Sequence, residues 1–166
     1  MKFYLLSLKT YELSNKLVYS ILKLKNSHWK TSIKSQKNFF LKNCRRNDLH
    51  TIVKYKNLVL GYTMLRKRKL DKGKLYLLFD TIIIDKKFRN KGYANILMSF
   101  NNQIITNENI PSILFCDSKL IKFYKKFKWK VSNFKDLSSG KYIMTYNYKK
   151  LYKINLSSKI NNLREV

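Results

Sequence analysis

Apolar positions along this chain change period several times, and each change marks an element. Residues 2–8 read as a short strand. Leu13, Leu17, Ile21 and Leu24 recur at helical spacing and predict a helix over about 12–26. Ser32 is placed to cap a second helix with Ile33, Phe40 and Cys44 on one face. Leu49 to Tyr55 alternates as a strand, and Lys56-Asn57 turns it into another, Leu58 to Arg66. Beyond the turn Asp71-Lys72-Gly73, the run Lys74 to Asp85 is apolar on both faces, the pattern of a central strand. The period then becomes helical. Tyr93, Leu97, Phe100 and Ile104 form one stripe, ended by Asn107 to Pro111. Ser112 to Cys116 reads as a short buried strand. Ser118 opens a helix with Leu120, Tyr124 and Phe127 on one side. Trp129 to Phe134 and Lys141 to Tyr148 close the pattern as two strands joined through Asp136 to Gly140. Periodicity is weak over 149–166, a tail with no assigned element.

That order predicts an α/β (α+β) domain: a mixed, mostly antiparallel seven-stranded sheet flanked by about four helices. The strand-helix-strand unit in its middle should make a parallel pair. With no internal repeat and no Pro-, Gly- or Ser-rich linker, residues 1–148 are expected to form a single domain.

Hydrophobic residues make up 45% of the chain, enough for a core and too many for wholesale disorder. The apolar start breaks at Ser7 and ends at Lys9, too short for a signal-peptide core, and no run approaches the roughly 18 apolar residues of a membrane span. Cys44 and Cys116 lie far apart with no metal-ligand spacing. A cytoplasmic protein with reduced, packing thiols and no metal is the expectation. The net charge of +27 carries two readings. It suits an anionic partner such as nucleic acid, a phosphate-bearing cofactor or a membrane surface. It also follows from AT-rich codons, since only six of the 36 basic residues are Arg and Asn, Ile, Tyr and Phe abound. Either way the field attracts polyanions.

The sharpest local chemistry is Arg89-Asn90-Lys91-Gly92-Tyr93-Ala94, between the central strand and the helix after it. A helix N-terminus offers unpaired N–H groups and partial positive charge, which suits an anion. Gly92 allows close approach and strained angles, Ala94 keeps the next position small, and Lys86, Lys87, Arg89 and Lys91 add charge. A pyrophosphate would fit such a turn, and a plain helix-entry turn would also read this way. Asp80 is a lone carboxylate in the apolar run Leu77-Leu78-Phe79-Asp80-Thr81-Ile82. Buried Asp is costly unless paired or functional. Strand alternation places it on the face of Ile82 and Ile84.

At Arg89-x-x-Gly92-x-Ala94 the sequence resembles the GNAT superfamily of CoA-dependent N-acyltransferases, whose signature is Arg/Gln-x-x-Gly-x-Gly/Ala after a hydrophobic strand. Thr81-Ile82-Ile83-Ile84-Asp85-Lys86-Lys87-Phe88 resembles the strand and bulky turn before that signature. Leu114-Phe115-Cys116 and Lys122-Phe123-Tyr124-Lys125-Lys126-Phe127-Lys128-Trp129 resemble the second signature, a strand and then a helix ending Phe-Tyr-x-x-Phe-Gly-aromatic. The element order agrees over about 1–148, while the specific motifs lie within about 80–129.

The resemblance implies an N-acetyltransferase that moves the acetyl group of acetyl-CoA to a primary amine by direct transfer. Backbone amides of Arg89, Asn90, Lys91, Gly92, Tyr93 and Ala94 would hold the CoA pyrophosphate. The strand edge at Ile82, Ile83 and Ile84 would bond the pantetheine arm in a slot where two parallel strands splay. Tyr124 would protonate the departing thiolate: a phenol of pKa about 10 can supply a nascent thiolate of about 8.5 or above. A core tyrosine on a helical stripe is the plain alternative. Asp80 lies nine residues before Arg89, where some relatives carry a Glu proposed to take the amine proton; a structural Asp is its alternative. Asp117 stands where many relatives have an Asn touching the CoA arm, and as Asp it accepts but does not donate. Lys128 replaces the usual Gly after the helix. His28 and Trp29 fall in a segment that often borders the acceptor pocket, though a lone loop His is usually surface, and His50 is given no role.

Two rivals stay open: a basic nucleic-acid-binding domain, which expects clustered cations and stacking aromatics rather than lysine spread along the chain, and a relative that binds CoA without catalysis.

Overall fold

The computed structural model describes residues 2–69, 74–136 and 140–147, with backbone alone for 133–136. The turn expected at 71–73 and the tail from 149 onward lie outside the described residues, and so does most of the link between the last two strands. The elements are β1 (Tyr4–Lys9), α1 (Asn15–His28), α2 (Ile33–Asn43), β2 (Leu49–Tyr55), β3 (Leu58–Lys69), β4 (Leu75–Ile84), α3 (Tyr93–Glu108), β5 (Ser112–Cys116), α4 (Ile121–Lys125), β6 (Lys130–Asp136) and β7 (Lys141–Tyr146). The strands form one seven-stranded sheet in the order β1-β2-β3-β4-β5-β7-β6. The pairs β1–β2, β2–β3, β5–β7 and β6–β7 are antiparallel, while β4 and β5 run parallel. This is the mixed, mostly antiparallel sheet with four helices that the sequence pattern predicts.

Packing divides the chain into two compact units. One holds the residues up to Lys67 together with Asp80–Asn101, and the other holds Arg68–Phe79 together with the described residues from Asn102 on. In the first unit the sheet is covered on both faces. Ile21 and Leu24 of α1 pack with Ile52, Tyr62, Met64 and Ile83. On the other face Tyr93 and Leu97 of α3 pack with Val53, Leu60 and Ile84. Gly61 sets how closely α3 approaches: a Cβ there would stand 2.6 Å from Ile84 Cδ1 and 3.1 Å from Leu97 Cδ1. Ser14 and Ser32 cap α1 and α2 through side-chain oxygens that accept from the amides of Leu17 and Ser35.

Two expectations about helix faces change. The buried positions of α3 include Tyr93, Leu97, Met98, Asn101 and Ile105, whereas Phe100 and Ile104 are only half-buried. Asn101 is fully buried because its amide is satisfied: Nδ2 donates to Thr63 Oγ1 at 2.8 Å and to Leu97 O at 2.7 Å, and Oδ1 accepts from Thr51 Oγ1 at 3.2 Å. Ser118–Leu120 is a short 3-10 turn rather than the first turn of α4, so Leu120 is exposed and Tyr124 alone of the expected face is buried.

The second unit is built on Tyr76, Leu78, Ile113 and Ile143. Its parallel ladder has two rungs, Leu77↔Ser112 and Leu78↔Ile113, and Ser112 Oγ donates to Leu77 O at 2.7 Å. Among the described residues no helix is long and apolar enough to cross a membrane.

Candidate functional site

The first unit presents a turn at the N-terminus of α3. Asp85 begins it: its amide donates to Leu60 O at 2.8 Å, and its Oδ1 accepts from the Lys87 amide at 2.9 Å, starting a short 3-10 turn over Lys86–Phe88. Asn90 and Gly92 both adopt left-handed backbone, at φ 59° and 81°. Nothing lies within 4 Å of where a Gly92 Cβ would sit, so glycine serves the angle here and not a close protein contact. Helix α3 then starts at Tyr93, buried with its ring centre 5.6 Å from that of Phe3 in a T-shaped contact, while Ala94 is half-buried in the same cluster.

Among the described residues no protein acceptor sits on the amides of residues 90–94. A left-handed turn feeding a helix N-terminus turns several N–H groups toward one concavity, which suits phosphate oxygens. Lys86, Lys87 and Lys91 are exposed around it, with Lys91 Nζ 5.4 Å above the Phe88 ring. The residues present therefore fit a pyrophosphate. Arg89 contributes differently. Its Nε donates to Ile84 O at 3.2 Å, and its Nη2 lies 3.1 Å from His28 Nδ1, so its guanidinium ties the turn to the end of α1. Because the guanidinium can only donate, His28 Nδ1 accepts. Burial, followed by the charges of Arg89 and Lys86, lowers the His28 pKa and favours that neutral form.

A cavity of about 340 Å³ opens beside α1, α2 and β4, lined by Lys25, Trp29, Gln36, Phe39, Asp80 and Thr81 among others. Asp80 lines this cavity beside α1, and Ile83, three residues on, packs against α1 as well, so the two-residue alternation of β4 breaks between them. The expectation that Asp80 shares a face with Ile82 and Ile84 is thereby corrected. Ile82 and Ile84 pack toward Tyr93 and Leu97, whereas Ile83 packs toward α1 and Asp80 pairs with Arg66 of β3. The Arg66–Asp80 contact is 3.3 Å, and Arg66 Nη2 donates to Asn43 O at 3.1 Å, joining β3, β4 and the C-terminus of α2.

Lys25 is the residue the sequence pattern missed. It stands four residues after Ile21 on the inner stripe of α1 and is 4% exposed. Its Nζ lies 4.8 Å from the Phe39 ring centre and 5.9 Å from that of Trp29. Desolvation lowers its pKa, with Asp80 and Cys44 acting against that and Arg66 with it. One lysine among so many gives no compositional signal; its helical spacing from Ile21 was the available clue.

The second unit holds Tyr124 and Asp117. Tyr124 is buried, its ring 5.2 Å from Phe123 and 6.4 Å from Trp129. Burial pushes its phenol well above the ordinary value, with Cys116 adding to the shift, so the group stays protonated and can act as a donor. Asp117 is exposed and precedes the short turn Ser118–Leu120 without a side-chain capping bond. Lys128 takes the left-handed angle, φ 64°, that glycine would supply at less cost. Asn102 secures the end of α4: its Nδ2 donates to Phe127 O at 2.8 Å, and its Oδ1 accepts from Trp129 Nε1 at 2.9 Å. Both cysteines are free. Cys44 is pushed to about 12, chiefly by burial.

No family model matches the chain, and no curated protein matches it by sequence. Solved structures do. An acyl-CoA N-acyltransferase from Pseudomonas aeruginosa is 14% identical with a TM-score of 0.69, over 87% of this chain and 97% of its own. ElaA of Escherichia coli is 16% identical with a TM-score of 0.67, over 87% and 99%. The PaiA N-acetyltransferase of Thermoplasma acidophilum, solved in complex with coenzyme A, is 16% identical with a TM-score of 0.61, over 89% and 100%. At these identities the likeness is one of fold.

Proposed function

We propose that this chain, which has the fold of the GNAT N-acyltransferases, transfers the acetyl group of acetyl-CoA to a primary amine by direct attack in a ternary complex. The observation that carries this reading is the turn before α3, where Asn90 and Gly92 are left-handed and the amides of residues 90–94 have no protein acceptor among the described residues. Those amides, with that of Arg89, bind the pyrophosphate; Ile82, Ile83 and Ile84 offer backbone groups to the pantetheine arm, and Asp117 accepts a hydrogen bond from it.

Bound acetyl-CoA supplies the activated thioester. Asp80 takes a proton from the acceptor ammonium, directly or through water. The amine nitrogen then bonds to the carbonyl carbon, and the Ile82 N–H stabilises the oxyanion. As the C–S bond breaks, the adduct nitrogen releases its remaining extra proton to water, Tyr124 gives its proton to sulfur, and the phenol is reprotonated from solvent. Holding a neutral amine against the thioester supplies much of the rate.

Calorimetry with acetyl-CoA, followed by thiol release over a panel of amino sugars, amino acids, polyamines and peptide N-termini, tests the reading. Micromolar binding and consumption with at least one amine are expected. Absence of acetyl-CoA binding would refute it, and binding without any turnover would reduce the chain to a CoA-binding protein.

A further inference from the structure

We propose that the acceptor bound in the cavity carries an acidic group beside its amine and that Lys25 is its anchor. This rests on the transfer reaction for the amine, while the anchoring itself rests on the cavity alone. A lysine ammonium is almost never fully buried without a partner, because removing it from water costs several kcal/mol. Lys25 is 4% exposed and lines the cavity, and its Nζ is the part that stays open to it. Among the described residues no carboxylate lies within ion-pair distance of it. The carboxylate in the cavity wall, Asp80, is held by Arg66. Asp80 acts on Lys25 only through its field, and the groups in contact with the ammonium are aromatic: the Phe39 ring at 4.8 Å and the Trp29 ring at 5.9 Å. Such faces return only about 0.5–2 kcal/mol.

Around the ammonium the walls describe a ligand. Trp29 and Phe39 are 41% and 44% exposed, large apolar surfaces beside a cavity, and suit an apolar or aromatic body. Gln36 is buried with Nε2 donating to Thr31 Oγ1 at 2.6 Å, which fixes a polar edge. The volume, about 340 Å³, is that of a small-molecule site. Lys25 is the one cation among the described lining residues, Asp80 is already paired with Arg66, and the chain carries +27, so a purely cationic amine is repelled where a zwitterion is not. An amine with a carboxylate and an apolar body, of amino-acid type, satisfies every wall.

The test uses the full chain and its Lys25→Met variant, with hydrocinnamate and hydrocinnamide as probes, the same skeleton with and without the charge. Calorimetry on the wild type should show hydrocinnamate binding about tenfold more tightly than the amide. The variant should bind both alike while keeping its affinity for acetyl-CoA. In turnover, phenylalanine should be preferred over phenethylamine by the wild type and not by the variant. Lys25→Gln repeats the experiment should the Met variant fail to fold. Equal binding of the two probes by the wild type, or a preference that survives in the variant, overturns the anchor. So does a variant that loses turnover equally with both amines, since Lys25 would then serve the proton and not the acid. Discrimination by Lys25 without acetyl-CoA binding would keep the anchor and remove the transfer reaction; acetyl-CoA turnover without discrimination would do the reverse.

Discussion

Arg66 Nη1 stands 3.3 Å from Asp80 Oδ2, with the two side chains 7% and 23% exposed, so the carboxylate proposed to take the amine proton is also half of an ion pair. Its two roles separate by substitution. Asp80→Asn keeps the shape and removes the negative charge that Arg66 faces there. A loss of about 1–3 kcal/mol in a thermal melt is expected. As the loss of a general base, a fall in turnover of about a hundredfold should accompany it. Full turnover in a protein that melts lower would make Asp80 structural.

Gly92 tests the phosphate turn. With φ at 81° and open space at its missing Cβ, Gly92→Ala adds backbone strain of about 1–2 kcal/mol and no clash within the protein. Gly92→Glu adds comparable strain and a negative charge. Both variants should melt a few degrees lower, and only the Glu variant should abolish acetyl-CoA binding through charge. Undiminished affinity of Gly92→Glu by calorimetry would refute the pyrophosphate assignment.

Tyr124→Phe removes a proton and little else. Among the described residues the phenol oxygen has no hydrogen-bond partner, and the ring stays packed against Phe123 and Trp129. Stability and acetyl-CoA affinity should be unchanged while turnover drops about a hundredfold. Unchanged turnover would remove Tyr124 from the mechanism.

Much of this fold is legible in the sequence because its signals are local. The strands Leu49–Tyr55 and Ser112–Cys116 and the cap at Ser32 coincide with the pattern of apolar and turn residues. The misses have long-range causes. Asn101 sits in the core only because Thr51 and Thr63, distant in sequence, satisfy its amide. Asp80 turns away from the face of Ile82 because β4 breaks its alternation there, a feature no residue type announces. Lys25 is hidden by abundance, and only the elements around it turn one lysine among many into a buried cation.

His50 makes stability depend on pH. It is fully buried, with Nδ1 2.8 Å from Tyr62 OH and Nε2 2.8 Å from Thr10 Oγ1. Burial lowers its pKa from 6.5 to about 4, with Asp48 opposing and Lys25 adding to the fall. The unfolded chain therefore binds the proton more readily. Stability from this group is complete above pH 6.5 and is lost as pH falls toward 4, by at most about 3 kcal/mol. Melting temperatures recorded from pH 7 to 4 should fall more steeply for the wild type than for His50→Gln, whose side chain does not titrate. Parallel curves would show that His50 titrates normally in the folded protein.

Lys128 ends α4 in a conformation that costs a side chain about 1–2 kcal/mol, with φ at 64°. The cost is sustained by what the turn secures. Lys128 N donates to Lys125 O at 3.0 Å, Trp129 N reaches Tyr124 O at 3.4 Å, and the indole of Trp129 goes on to Asn102. The left-handed residue thus carries the chain from Tyr124 into the buried Trp129. Glycine would take the same angle without the Cβ penalty but would give the unfolded chain more freedom, which cancels part of the gain. Lys128→Gly should therefore stabilise by about 0.5–1 kcal/mol, a rise of about 1–4 °C in melting temperature. Lys128→Val, β-branched at the same angle, should lower it by more than Lys128→Gly raises it. Since the Lys128 side chain is exposed, neither change should alter acetyl-CoA affinity. Differential scanning calorimetry of the two variants decides the matter: a Val variant as stable as the Gly variant would mean that the turn is right-handed in solution.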